Sequence, residues 1–152
     1  MTEREQVSHI GTYGIILNDT FTQILLIKKS RGPYVGMLDF PGGRPEFEES
    51  FEETLYREIL EETGLQVETS KQIVCLLNIA DYENIRFRHT GVIYFVKASG
   101  NVKYYSDGHD SNGCIWVNLK FIEDYSCTPF VRNIIAKWDI LRASFQNQSV
   151  SL

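Results

Sequence analysis

A chain of 152 residues with 43% hydrophobic, 12% aromatic and 23% charged side chains has the bulk properties of a globular domain, long enough to bury a core without disulfide or metal staples. Its formal net charge of -5 excludes general binding to a nucleic-acid phosphate backbone, and no apolar run reaches the roughly 18 residues of a membrane span. Cys75, Cys114 and Cys127 are odd in number and far apart, which argues for reduced thiols rather than a disulfide framework or a zinc site.

The opening MTEREQVSHI is polar, mixed in charge and without the apolar stretch of a secretory signal, so a cytoplasmic protein is expected. TYGIILN (12–18) and QILLIKK (23–29) read as two strands of a hairpin turning through Asn18 to Thr22, because β-branched residues flank a polar turn. Ser30 to Ser50 holds Gly32, Pro33, Gly36, Pro41, Gly42 and Gly43 and predicts a long shaped loop. Ser50 and Glu53 form a capping box and Gly64 supplies a stop, which predicts a helix from Phe51 to Thr63. IVCLLNI (73–79) and TGVIYFVKA (90–98) are further strands, separated by the polar, aromatic and locally basic ADYENIRFRH. After the turn-rich residues 100–113 come a short strand at Ile115 to Val117 and a final helix opened by Thr128 and Pro129. Its stripe of Val131, Ile134, Ile135, Trp138, Leu141 and Phe145 is at helical spacing and predicts core packing. One domain over 1–152 with short frayed termini is expected, and no internal repeat is present.

The chemistry concentrates in REILEETG. Glu58, Glu61 and Glu62 stand three and four positions apart and share one helical face of roughly 100°. Like charges at these spacings repel by a few tenths of a kcal/mol per pair, and the helix C-terminus adds the negative end of its macrodipole. A hard divalent cation, which takes oxygen ligands, would turn that repulsion into attraction, and a main-chain carbonyl at Gly42 or Gly43 would help complete its shell.

From Gly43 to Leu65 the stretch GRPEFEESFEETLYREILEETGL resembles the Nudix box: G, five residues, E, seven residues, then R-E-U-x-E-E-x-G-U with U aliphatic. Gly43, Glu49, Arg57, Glu58, Ile59, Glu61, Glu62, Gly64 and Leu65 meet its fixed positions, and LDFPGG looks like the family's strand and Pro-Gly-Gly turn. The resemblance implies an α+β fold, a Nudix-type α/β/α sandwich with a mixed β-sheet between helices. It implies hydrolysis of a phosphoanhydride bond in a nucleoside diphosphate linked to another group, with Mg2+ as cofactor and Mn2+ as a substitute. Arg57, Glu58, Glu61 and Glu62 would be catalytic, with Glu58, Glu61, Glu62 and a carbonyl of Gly42 or Gly43 as metal ligands and Glu49 in support. Two departures bear on loop shape and packing rather than chemistry: Glu48 stands where relatives often carry glycine, and Thr54 and Leu55 replace small alanines.

Simpler readings stand beside these. Glu49 would also suit the positive helix N-terminus, and Arg57 would also pair with Glu53 or Glu61. An extra base or ligand is sought among Asp110, Asp107 and Glu83, with Asp110 favoured just ahead of CIWV. Arg86, Arg88 and His89 form a basic group beside Phe87 and Tyr82, suited to holding phosphates and stacking a base, and Arg86, Arg88 and Arg44 next to the glycine turn are substrate-binding candidates; alternation on a solvated strand would produce the same pattern. At least one of Lys28, Lys29 and Arg31 is a candidate to face phosphates. The expected partner is a small nucleotide-type substrate, with no membrane, and a homodimer is compatible but not indicated. The rival reading is a catalytically silent nucleotide-binding regulatory module, which loss of box glutamates would favour; none is lost.

Overall fold

The computed structural model describes residues 3–104 and 111–143. In chain order it has β1 (Glu5–Ile16), β2 (Gln23–Lys29), β3 (Leu38–Asp39), β4 (Gly42–Gly43), α1 (Phe51–Thr63), β5 (Gln66–Tyr82), β6 (Ile85–Ser99), β7 (Ser111–Asn118), a 3-10 helix (Leu119–Asp124) and α2 (Pro129–Ala136). One sheet runs β4-β1-β6-β5 and the other β3-β2-β7. β1 and β6 are parallel while the remaining pairings are antiparallel, so the first sheet is mixed. The architecture is the expected α/β/α sandwich.

Strand alternation divides the buried residues between two cores. Tyr13, Ile15, Ile93 and Phe95 face Ile24 and Leu26 of the other sheet and the α2 residues Phe130, Val131 and Ile134. Their strand neighbours Ile16, Val92, Tyr94 and Val96 turn the opposite way and meet Leu55 and Ile59 of α1. β2 contributes Ile24 and Leu26 to one core and Leu25 and Ile27 to the other, which is why it reads as an unbroken apolar run.

α1 has the bounds the capping box predicts. Ser50 Oγ accepts from the Glu53 amide at 3.1 Å, the Glu53 carboxylate accepts from the Ser50 amide at 3.1 Å, and Gly64 closes the helix at φ 81. α2 begins at Pro129 as expected and ends at Ala136, with residues 138–143 helical again after Lys137. Ile135, Trp138 and Leu141 pack at the margin of the core, and Phe145 lies outside the described residues, as does the tail expected to fray.

Two strand expectations need correction. β1 starts at Glu5 rather than Thr12 and pairs along its length with β6, while β2 pairs with β3 and β7; the supposed hairpin retains a single bridge, Leu17 to Ile24. Thr12 to Ile16 is buried on both faces, a central position that a two-stranded hairpin would not supply. β5 and β6 form one long hairpin that includes ADYENIRFRH, turning at Glu83 with φ 56. Beyond Ile79 the exposed face carries Asp81, Arg86 and Arg88, so the apolar pattern stops although the pairing continues. Among the described residues no helix is long and apolar enough to cross a membrane.

Candidate active site

The Gly42–Gly43 turn lies against the last two turns of α1. Gly42 and Gly43 pair with Tyr13 and Thr12 of β1, and a Cβ at Gly42, where φ is 151, would stand 2.0 Å from the Thr12 carbonyl oxygen. Only glycine fits there. A Cβ at Gly43 would stand 2.6 Å from the carboxyl carbon of Glu58, so that absence of a side chain is the space in which Glu58 sits. The Gly42 amide donates to Glu62 Oε1 at 2.8 Å, and Glu62 is 1% exposed. A carboxylate so buried requires such a partner.

Arg57 organises the remaining acids. Its Nε and Nη2 donate to the two oxygens of Glu49 at 2.7 and 2.8 Å, a bidentate pair, and Nη1 donates to Glu58 at 3.0 Å and Glu61 at 3.3 Å. Its chief partner is therefore Glu49, and Glu53 is occupied by the capping box. The Arg57 hydrogen bonds, followed by the Glu46 amide, hold the Glu49 carboxyl down at about 2. Glu49 in turn, with Glu58, fixes the guanidinium in its charged form. Thr54 donates to Glu49 at 3.1 Å and Leu55 is fully buried, so both departures from small alanines are used. Part of the cation that the acidic face calls for is thus Arg57 itself. One guanidinium is shared by Glu49, Glu58 and Glu61.

Among the described residues no three His, Cys, Asp or Glu side chains already enclose a metal-sized centre. Arg57 draws Glu58 and Glu61 toward itself while Glu62 is held at the turn. The donors are nevertheless of the hard-oxygen kind, and Mg2+ takes only one or two protein carboxylates, its other positions going to water and phosphate oxygens.

Beside the turn, between the two sheets, is a pocket of about 280 Å³ reached by Gly42, Gly43, Arg44 and Glu62. Its aromatic wall is tied together: Tyr13 Oη lies 2.8 Å from His89 Nε2, the rings of His89 and Phe130 are 5.1 Å apart, and those of His9 and Phe87 are 5.3 Å apart. Burial, then the charge of Lys29, holds the His89 imidazole down at about 4, so it is neutral at pH 7. Asp39, 6% exposed, lines the same pocket. Its Oδ1 accepts from the Phe40 amide and from Thr128 Oγ1, each at 2.8 Å. Burial raises the Asp39 pKa, and Lys29 and these bonds oppose the shift. Thr128 is the N-cap of α2, yet its hydroxyl makes no capping bond and donates instead to Asp39.

The basic candidates separate by strand register. Arg44 reaches the pocket, with Nη1 3.1 and 3.2 Å from the ring nitrogens of His9. Lys29 and Arg31 also line it, and Lys28 does not. Arg86 and Arg88 project from the opposite face to Phe87 and His89; Arg86 lies 3.7 Å from Asp81, and Arg88 donates to Ser8 at 3.1 Å. Neither reaches the pocket, as the solvated-strand reading anticipates. Glu83 is at the hairpin turn, and Asp107 and Asp110 lie outside the described residues. Of the expected basic and aromatic group, His89 and Phe87 do line the pocket, while Asp39, Thr128, Tyr34 and Asn78 carry no sequence expectation as site residues. The one available signal was a polar residue set among apolar neighbours, as in LDF and LLNIA.

The NUDIX domain family matches this chain over residues 8–137. A putative 8-oxo-dGTP diphosphatase of Bacillus subtilis (strain 168) is 35% identical over 108 residues, 71% of this chain and 65% of that protein. An ADP-ribose pyrophosphatase of Methanocaldococcus jannaschii is 50% identical over 56 residues, 37% of this chain and 32% of that protein. The chain therefore spans less than two thirds of either relative. Among solved structures, a MutT NUDIX hydrolase from Burkholderia pseudomallei has a TM-score of 0.70 at 24% identity, covering 86% of this chain and 97% of that one. The NUDIX domain of Shewanella oneidensis NrtR, complexed with ADP ribose, has a TM-score of 0.71 at 17% identity, covering 88% and 87%. At these identities the two structures establish the shared fold.

The two glycines should respond differently to the same substitution. Gly42→Ala forces backbone against backbone and should lower the melting temperature by several degrees, whereas Gly43→Ala meets only side-chain atoms of Glu58, which have torsions to turn, and should cost less. Thermal unfolding of both variants checks this, and equal shifts would contradict the packing described. A second expectation concerns pH. Because His89 is held near 4, below its ordinary 6.5, its contribution to stability is complete above pH 6.5 and is lost as pH falls toward 4. Urea midpoints should therefore fall less steeply from pH 6.5 to 4 in His89→Gln than in the wild type; parallel pH profiles would remove His89 as a source of acid lability.

Proposed function

The chain belongs to the NUDIX domain family, and from that premise we propose that it is a divalent-metal-dependent pyrophosphohydrolase cleaving a phosphoanhydride bond in a nucleoside diphosphate linked to another group. The observation that carries this reading is the packing of Glu58 and Glu62 against Gly43 and Gly42 at the rim of an aromatic pocket. Acids and a pocket of that kind meet where a phosphate chain would run from metal to base.

Glu58 and Glu62 are the proposed carboxylate ligands, with Glu61 and a main-chain carbonyl of Gly42 or Gly43 available to complete the set. When bound, Mg2+ or Mn2+ would neutralise the diphosphate and lower the pKa of a bound water. The chain's own residues do the rest. Glu58 accepts the proton of the attacking water, whose oxygen adds to phosphorus as the anhydride oxygen departs with its electron pair. Asp110 is the competing base. Arg57 orients Glu58 and Glu61 and is itself fixed by Glu49. Arg44 and Lys29 supply local positive charge, without which a protein of net charge -5 would repel its substrate. The wall of Tyr13, Phe87, His89 and Phe130 receives the base, and Asp39 offers it a hydrogen-bonding edge.

The relatives' names make 8-oxo-dGTP and ADP-ribose the first compounds to test. Retention of the box carboxylates disfavours a silent binding module. A phosphate-release screen over nucleoside diphosphate derivatives with Mg2+ or Mn2+, run with and without a coupling pyrophosphatase, should show turnover of at least one compound. Glu58→Gln at saturating metal should then lower kcat by about 100-fold or more, the usual range for loss of a general base. Turnover by none of the derivatives would argue against the hydrolase reading, and near-wild-type kcat in Glu58→Gln would take the base role from Glu58.

A further inference from the structure

The loop between β2 and β3 contributes Arg31, Gly32, Pro33 and Tyr34 to the pocket lining. It is closed at its base by Lys29 N–H to Met37 O and Gly36 N–H to Lys29 O, each 2.9 Å, and folded at its tip by Met37 N–H to Tyr34 O at 3.0 Å. Gly32 and Gly36, both at φ 84, bracket Pro33, Tyr34 and Val35. A Cβ at either glycine would meet nothing within 4 Å, so glycine serves the backbone path there rather than packing. That path leaves Val35 60% exposed and brings Tyr34 into the pocket lining. The Tyr34 hydroxyl accepts a hydrogen bond from Asn78 Nδ2. Asn78 is on β5, in the other sheet, and turns toward the pocket where its strand neighbours Leu77 and Ile79 face solvent at 61% and 50% exposure. The bond therefore joins the two sheets across the pocket.

We infer that Tyr34 is a positioning residue for the bound nucleotide, and that its bond to Asn78 is a clasp that opens to admit the base and re-forms across it. The inference rests on the reading of the pocket as the seat of the nucleoside. The clasp is chemically suited to repeated opening: it is a single bond between neutral groups, and water replaces either partner's hydrogen bond when it parts. Movement of the loop tip would not dismantle a core, since a side chain at Gly32 or Gly36 would meet open space and the short strands at the loop's base keep their own pairing. When closed, the tyrosine ring and the asparagine amide confine the base next to His89, the direct cross-strand partner of Asn78, which fixes the far end of the phosphate chain relative to Glu58 and Glu62. Because Asn78 donates through Nδ2, its carbonyl and the Tyr34 hydroxyl proton remain as an acceptor and a donor for the ligand.

The test is a double-mutant cycle with Tyr34→Phe, Asn78→Ala and the pair, using 8-oxo-dGTP and ADP-ribose as probes. Each single variant should raise KM about fivefold, the usual scale of one neutral hydrogen bond, with kcat within about twofold of wild type, and the double variant should be no worse than either single. A merely structural bond would lower the melting temperature without that split. Calorimetric Kd values for the same probes without metal carry the same comparison independently of turnover. Binding without hydrolysis in the wild type would count against the hydrolase reading alone, leaving the Kd cycle to support the clasp. Wild-type KM and Kd in both single variants, additive losses in the double, or no binding of either probe by the wild type would overturn it.

Discussion

The amide of Gly42 holds the carboxylate of Glu62 where water is almost excluded, and this contact sets how closely α1 lies against the glycine turn. A buried carboxylate without such a donor would be strongly destabilising, so the turn and the helix must meet. Their closeness then dictates the rest: no side chain is tolerated at Gly42, the space left at Gly43 is filled by Glu58, and Arg57 is carried outward to bridge Glu58, Glu61 and Glu49. The capping box at Ser50 fixes the other end of α1 and so brings Glu49 within reach of Arg57. Packing and electrostatics are coupled here, because moving the helix by the width of a methyl group would alter both.

The acidic face is arranged by degrees of exposure. Glu62 is sealed and takes a backbone donor, Glu49 and Glu58 keep side-chain exposures of 16% and 15% and share Arg57, and Glu61 stands at 45% at the outer edge. This gradient keeps like charges on one helix face without dispersing them. The adjoining pocket is built on the opposite plan. The His89 imidazole is kept neutral by burial, the aromatic rings are fixed by one another, and the buried acid is held by the threonine at the head of α2. Charge at one end and neutral aromatic surface at the other suit a ligand that is itself divided into a phosphate chain and a base.

What the sequence made legible was local. The α1 limits were readable because capping box and terminal glycine act within a few residues, and the nine fixed positions around it form one short segment. Long-range pairing was not readable: β1 finds its parallel partner about 80 residues away, and an apolar pattern reports burial rather than pairing, so the outer β5–β6 hairpin went unrecognised. The direction of Arg86 and Arg88 depended on that register. Arg57 bonds Glu49 across a full helical separation of eight residues, and Asp39 is held by Thr128 from 89 residues away. The first spacing lies within the box and the second has no local signature, which is why the glutamate cluster could be anticipated while the pocket that accompanies it could not.

The central claim is that the acidic end of α1 is a cation site completed around Glu62 and Glu58. Thermal unfolding of the wild type and of Glu62→Gln across a titration with Mg2+ or Mn2+, paired with isothermal calorimetry, tests it most directly. Preferential binding to the native state should raise the wild-type Tm progressively with metal concentration, with a smaller rise in Glu62→Gln. An unchanged wild-type Tm through the whole titration, together with no heat of binding, would contradict the account.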